Sequence, residues 1–102
     1  MKYDLCLFVA GRTGSSIRAR KNMERIASGP LKGRCSFEVV DIYEHPEIAE
    51  KEKILAIPTL IKRSPPPVRR IIGDLGDVEQ LLYGLDLAGE DLEDHAPKNE
   101  EL

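Results

Sequence analysis

The stretch that decides the fold of this chain runs from Ala56 to Gly76 and reads AIPTLIKRSPPPVRRIIGDLG. Thr59 to Lys62 and Val68 to Ile72 each predict a strand, because their residues suit a pleated, half-buried surface. Between them lies a stiff connector, since each proline of the PPP run fixes φ and lacks an N–H group. Gly73 and the aspartate after it end the second strand. The stretch therefore predicts two consecutive strands.

The residues before this stretch predict a β-α-β unit. Lys2 to Ala10 is nearly all apolar, which is typical of a strand buried on both faces of a parallel sheet. A helix is expected from about Ser16 to Ala27, capped by the hydroxyl of Thr13 or of a following serine. Cys35 to Tyr43 forms the second strand, and the crossover should be right-handed. We expect the inner face of the helix to contain Ile17, Met23, Ile26 and Ala27.

Two further helices complete the predicted order. His45-Pro46-Glu47 begins a short helix that continues to about Leu55, because proline is favoured in a first helical turn. Asp77 can cap a last helix from Val78 to about Leu87. Gly84 conflicts with this helix, since glycine costs about 1 kcal/mol relative to alanine there. The residues around Gly84 also alternate as in a strand, so both structures stay open. In the helix, the inward side chains would be Leu81, Leu82 and Leu85.

The resulting order, βαβ-α-ββ-α, is an α/β fold that resembles the thioredoxins. In a thioredoxin the strand beside the active site opens as Ile57-Pro58-Thr59 does here. The reactive cysteine of a thioredoxin starts the first helix, where unpaired N–H groups stabilise a thiolate. Here that position reads Arg12-Thr13-Gly14-Ser15-Ser16 and contains no thiol. We therefore expect the frame of a redox fold without its usual chemistry.

Cys6 and Cys35 are the only cysteines, and two interpretations of them stay open. They are expected to be free thiols, because no signal-peptide pattern precedes them. If their strands are neighbours, they could instead form a redox-sensing pair, and a thioredoxin-like redox or stress-response protein is the alternative function. His45 and His95 lack metal-ligand spacing with them, and no paired carboxylates or phosphate-binding glycine loop occur. We expect no metal, no cofactor and no catalytic residue.

Composition indicates one globular domain. The 102 residues are 41% hydrophobic and 32% charged, which is ordinary for a soluble protein. No apolar run approaches the roughly 18–20 residues of a membrane span, so we expect a cytoplasmic protein that binds no membrane. The domain is predicted to cover residues 1–88, and residues 89–102 are expected to be a disordered acidic tail.

The net charge of −3 hides an asymmetry. From Asp86 onward there are seven acidic residues and one basic residue, a charge of −6, so the rest of the chain carries +3. An acidic tail on a mildly basic body suggests a solubilising or a self-masking role. The body is not basic enough to predict binding of nucleic acid, and it lacks the interleaved aromatics of a stacking surface.

Three segments together resemble the KaiB family of circadian clock proteins. They are Leu7 to Thr13, Ile54 to Leu60, and Pro65 to Leu75, and the run PPPVRRIIGDL within the last is the most specific. The resemblance covers about residues 3 to 88 without a gap. It also includes Gly84-Leu85-Asp86-Leu87.

The resemblance implies a function without catalysis. KaiB proteins are metamorphic: a homotetramer with a fold of its own is the resting state, and a rare monomer has the thioredoxin-like fold. That monomer binds the N-terminal ATPase ring of the hexameric clock ATPase KaiC. The complex then sequesters KaiA and displaces the histidine kinase SasA, which modulates the phosphorylation cycle of KaiC and its output.

The resemblance also assigns roles to individual residues. Glu38 and Cys6 depart from it, because both stand where clock proteins often have lysine, and Gly14-Ser15 replaces a Pro-Asn pair. Tyr3 matches an aromatic residue that supports the resting assembly. The residues that match fold-switch positions are Pro58, Pro65, Pro66, Pro67, Gly84 and Asp86. The residues that match basic partner-binding positions are Arg18, Lys21, Lys53, Lys62, Arg69 and Arg70.

Overall fold

The structure, a computed structural model, describes residues 2–85. The predictions for Asp86 and for the tail at 89–102 lie outside these residues. Within them no helix is long and apolar enough to cross a membrane. The strands are β1 (Tyr3–Val9), β2 (Cys35–Asp41), β3 (Thr59–Ser64) and β4 (Arg69–Ile72). The helices are α1 (Gly14–Ser28), α2 (Pro46–Lys51) and α3 (Val78–Gly84).

The four strands form one mixed sheet in the order β2-β1-β3-β4. β1 pairs in parallel with β2 and antiparallel with β3, and β4 pairs antiparallel with β3. This is the predicted element order, and β1 is the predicted strand buried on both faces. The side chains of Leu5 and Leu7 point to one face, and those of Cys6 and Phe8 point to the other. Each fully buried aliphatic side chain stabilises the fold by about 1.5–3 kcal/mol.

The sheet separates two hydrophobic cores. The larger core contains Leu5 and Leu7 of β1 and lies under α1 and α3. The smaller core contains Cys6 and Phe8 and is covered by Ile48 of α2. We call the two sides the α1 face and the α2 face.

The α1 helix begins earlier than predicted and turns a different side towards the core. Its N-cap is Thr13, whose hydroxyl oxygen accepts from the Ser16 N–H at 3.4 Å. Ile17 was predicted to face inward, but it is 40% exposed. That expectation was wrong because the buried positions repeat at intervals of three or four residues from Ser16, which leaves Ile17 on the flank. The buried positions are Ser16, Ala19, Met23 and Ile26.

The α2 helix is shorter than predicted and ends at Lys51 rather than near Leu55. Lys53 adopts a left-handed backbone with φ of 57°, which a helix cannot continue. The guanidinium of Arg70, on β4, donates to the carbonyl oxygens of Glu52 and Lys53. A contact from a distant strand therefore stabilises the end of this helix, and Leu55 is left 95% exposed.

We predict that Leu7→Ala lowers the free energy of unfolding by about 2–5 kcal/mol, because it leaves a cavity in the middle of the buried strand. The measurement is urea denaturation followed by circular dichroism. Leu55→Ala is the matched control, and it should change the value by less than about 0.5 kcal/mol. Equal effects of the two substitutions would contradict the central position of β1.

Candidate partner-binding surfaces

The start of α1 is the place where a thioredoxin holds its reactive thiol. In this chain hydrogen bonds through a buried serine connect it to the end of β1. The side chain of Ser16 is fully buried. Its hydroxyl oxygen accepts from the Ala10 N–H at 3.0 Å and from the Thr13 hydroxyl at 2.8 Å. These bonds tie the end of β1 to the first turn of α1. The hydroxyl of Ser16 is therefore a structural group and not an accessible nucleophile.

The register of β1 and β2 keeps the two cysteines apart. Tyr3 lies opposite Cys35, and Cys6 lies opposite Glu38, three residues further along. At about 3.3 Å per residue this offset is about 10 Å, beyond the roughly 7 Å that a disulfide spans between Cα atoms. The two side chains also project from opposite faces. The disulfide that a Cys6–Cys35 redox pair requires therefore cannot form within this fold.

Burial makes both thiols poor nucleophiles. It raises the pKa of Cys6 to about 11 from 9.0, and it also raises the pKa of Cys35. Since the thiolate is the reactive species, little of either side chain reacts near neutral pH.

A cluster of charges on three adjacent strands lies on the α2 face beside Cys6. Arg63 of β3 pairs with Glu38 of β2, and its Nη2 lies 3.7 Å from Oδ1 of Asp4 on β1. The hydrogen bond to Glu38 raises the pKa of Arg63. Glu38 therefore has a basic partner within the chain. This pair was not predicted from the sequence, because it depends on the register of the sheet.

The two predicted partner-binding residues on α1 are both exposed, but they differ in their contacts. Arg18 Nε donates to Asp74 Oδ2 at 2.9 Å, and this bond lowers the pKa of the Asp74 carboxyl. Asn22 reinforces the contact by donating to the Asp74 carbonyl oxygen at 2.7 Å. Lys21 forms no ion pair within residues 2–85.

The other predicted basic residues lie in three different environments. Lys53 and Arg70 are exposed and adjoin on the α2 face through the hydrogen bond at the end of α2. Arg69 is exposed and projects from β4 to the α1 side of the sheet. Lys62 is only 1% exposed, beneath the α1 side. That Lys62 contacts a partner stays a prediction, and the exposed cations are divided between the two faces.

The described residues at predicted fold-switch positions lie at the ends of strands and helices in the second half of the chain. Pro58 is buried before β3, and its carbonyl oxygen accepts from the Gly73 N–H at 3.0 Å. Residues 65–67 connect β3 to β4. Gly84 ends α3, where an added Cβ would lie 2.2 Å from Cδ1 of Ile71. In this fold the helix accepts glycine because β4 packs directly against it. Tyr3 is buried in the larger core.

Within residues 2–85 there is no group of three or more His, Cys, Asp or Glu side chains that could hold a metal ion.

Comparison with solved structures defines the class of protein. Mitochondrial thioredoxin 3 from Saccharomyces cerevisiae matches with a TM-score of 0.69 and 22% identity, over 84% of this chain and 79% of that one. The N-terminal domain of Synechococcus elongatus SasA matches with a TM-score of 0.66 and 25% identity, over 87% of this chain and 88% of that one. The chain has a thioredoxin-like fold that lacks the thiol motif.

Comparison of sequences defines the family. The KaiB domain matches residues 6–87. The circadian clock oscillator protein KaiB of Parasynechococcus marenigrum is 50% identical over 94 residues, covering 92% of this chain and 90% of the relative. The KaiB of Prochlorococcus marinus is 53% identical over 90 residues, covering 88% and 79%. The chain belongs to the KaiB family.

We predict that Cys6 is alkylated by iodoacetamide at pH 8 about a hundredfold more slowly in the folded protein than in urea, because its raised pKa lowers the thiolate fraction by that factor. Cys35→Ser leaves Cys6 as the single thiol for this assay. The folded-state rate should rise with pH up to about 11. A rate that is equal in the folded and unfolded protein would show that Cys6 is accessible and its pKa ordinary.

We also predict that Gly84 and Ile71 are energetically coupled. Gly84→Ala should stabilise α3 by up to about 1 kcal/mol through helix propensity, but the new Cβ meets Cδ1 of Ile71. Ile71→Val removes that methyl group, so Gly84→Ala should be more favourable in the Ile71→Val background than alone. A double-mutant cycle of unfolding free energies measures the difference. Strict additivity would refute the contact.

Proposed function

We propose that this protein is a circadian clock component that binds the N-terminal ATPase ring of a KaiC-like hexamer while in the thioredoxin-like state described above. By binding, it modulates the phosphorylation cycle and the output of that ATPase. The observation that carries the proposal is the 50% identity to proteins named circadian clock oscillator protein KaiB over 92% of this chain. The protein acts in the cytoplasm by association and has no catalysis of its own.

The site supports binding rather than catalysis. The thiol position is filled by a buried serine whose hydrogen bonds connect β1 to α1, and the two cysteines are too far apart to form a disulfide. Exposed cations remain on both faces of the sheet. Such side chains can pair with carboxylates of a partner, and they include Lys21, Lys53, Arg69 and Arg70.

A second, resting fold is part of the proposal. The chain then rests as a homotetramer, and the partner selects the thioredoxin-like monomer from a small population. Tyr3 is consistent with such a change, because it is buried in the core here and so can stabilise an assembly only in another fold. KaiA and a SasA-like histidine kinase are then indirect partners, bound or displaced through the complex.

We predict that incubation with a KaiC-like ATPase and nucleotide slowly moves the protein into a complex with the hexamer. Size-exclusion chromatography with light scattering measures this shift. The free species should have the mass of a tetramer of 11.4 kDa chains. If no complex forms in any nucleotide or phosphorylation state, the clock function is wrong for this protein.

Charge reversal can show which face binds. Lys53→Glu tests the α2 face, and Lys21→Glu tests the α1 face. The substitution on the contacting face should weaken the complex about tenfold, because it replaces an attraction by a repulsion. Lys51→Glu, two residues from Lys53 on α2, is the control and should leave the affinity within about twofold. Unchanged affinity in both test variants would exclude these cations as contacts.

A further inference from the structure

Charge is divided between the two faces of the domain. Residues 14–34, which form α1 and the loop to β2, contain six basic side chains and one acidic one, a net charge of +5. Residues 44–53, which surround α2 on the other face, contain two basic and four acidic side chains, a net charge of −2 with His45 neutral. The 17 residues from 86 to 102 carry −6. Residues 73–85, which include α3 on the α1 face, contain three acidic side chains and no basic one, so the two segments of this face together carry +2. The α1 face therefore complements the last part of the chain better than the α2 face does.

Several cations of the α1 face have no acidic partner among residues 2–85. Lys21 and Lys32 are exposed and form no ion pair there. Arg25 donates to the neutral amide oxygen of Asn22 at 3.1 Å. This set of cations, Lys21, Arg25 and Lys32, is the basic surface of α1.

One contact already pairs this helix with a carboxylate from the second half of the chain. Arg18 binds Asp74, which lies just after β4. An acidic side chain that follows the last strand thus neutralises one cation of α1, Arg18. The neighbouring cations on the next turns have the same chemistry and lack such a partner.

Leu85, the last residue that the structure describes, lies on the α1 side of the sheet. Leu85 is buried in the same core as Ala19, Met23 and Ile26 of α1. The 17 residues that follow could extend up to about 56 Å at 3.3 Å per residue, whereas α1 is about 22 Å long at 1.5 Å per residue. The segment is therefore long enough to contact either face. The charge of each face determines which of the two attracts it.

We propose that residues 86–102 bind in cis to the basic surface of α1 and screen it from acidic proteins. Ion pairs between their carboxylates and Lys21, Arg25 and Lys32 hold the segment there. An acidic protein that uses the α1 face must displace it. The proposal depends on the placement of charge and not on the proposed clock function, so either can fail without the other.

Zero-length carbodiimide cross-linking of the full chain tests the contact directly. At low protein concentration and low salt, amide bonds from Lys21 or Lys32 to Asp91, Glu93 or Asp94 should exceed those from Lys51 or Lys53 at least about fivefold. The two lysine pairs are matched, since both are exposed and within reach of the segment. The excess should vanish at about 1 M salt, where the Debye length is about 3 Å. An even distribution at low salt, cross-links only between chains, or none from these acids would overturn the proposal.

A binding assay tests the screening. The probe is a fluorescent hexaglutamate peptide, and the variant combines Glu90→Gln, Asp91→Asn, Glu93→Gln and Asp94→Asn in the full chain. We expect the variant to bind the probe about fivefold more tightly than the original chain. Adding Lys21→Glu and Lys32→Glu should abolish this gain. An unchanged affinity in the amide variant, or a gain that persists after both lysine reversals, would show that the segment does not screen α1.

Discussion

The burial of β1 on both faces is the constraint on which the rest of the structure depends. Alternate side chains of this strand project into two separate cores, so each face of the sheet must be covered by helix. The parallel pairing with β2 requires a crossover connection, and α1 supplies both this connection and the cover for one face. The short α2 covers the other face only in part. The surface that remains beside it is occupied by the charges of Asp4, Glu38 and Arg63.

The same frame explains why a thioredoxin-like protein need not be a redox enzyme. The fold presents the start of its first helix at the end of the central strand, where helix N–H groups favour an anionic side chain. Here the buried hydroxyl of Ser16 occupies that joint, accepting from Ala10 and Thr13. Its hydrogen bonds strengthen the connection between strand and helix. A position that carries chemistry in relatives of the fold has become a structural contact, and the exposed faces are left for association.

Most of the fold was predictable from local patterns, whereas features set by distant contacts were not. The apolar run in β1 and the proline connector predicted the element order. The residue at which α2 ends was predicted wrongly, because Arg70 on the distant strand β4 stabilises this end. The burial of Lys62 and the Glu38–Arg63 pair depend on sheet register, which composition does not reveal. The basic positions came from family resemblance alone, and only the fold shows that they lie on opposite faces.

This division of charge limits how the protein can bind. A single flat partner cannot contact Lys21 and Lys53 together, because the sheet lies between α1 and α2. The two faces also differ in sign, since residues 14–34 carry +5 and residues 44–53 carry −2. Electrostatic attraction therefore favours acidic partner surfaces on the α1 side. On the α2 side, a partner that contacts Lys53 also meets the acidic side chains of residues 44–53. The two faces therefore offer different charge to a partner, and a substitution on one face leaves the charge of the other unchanged.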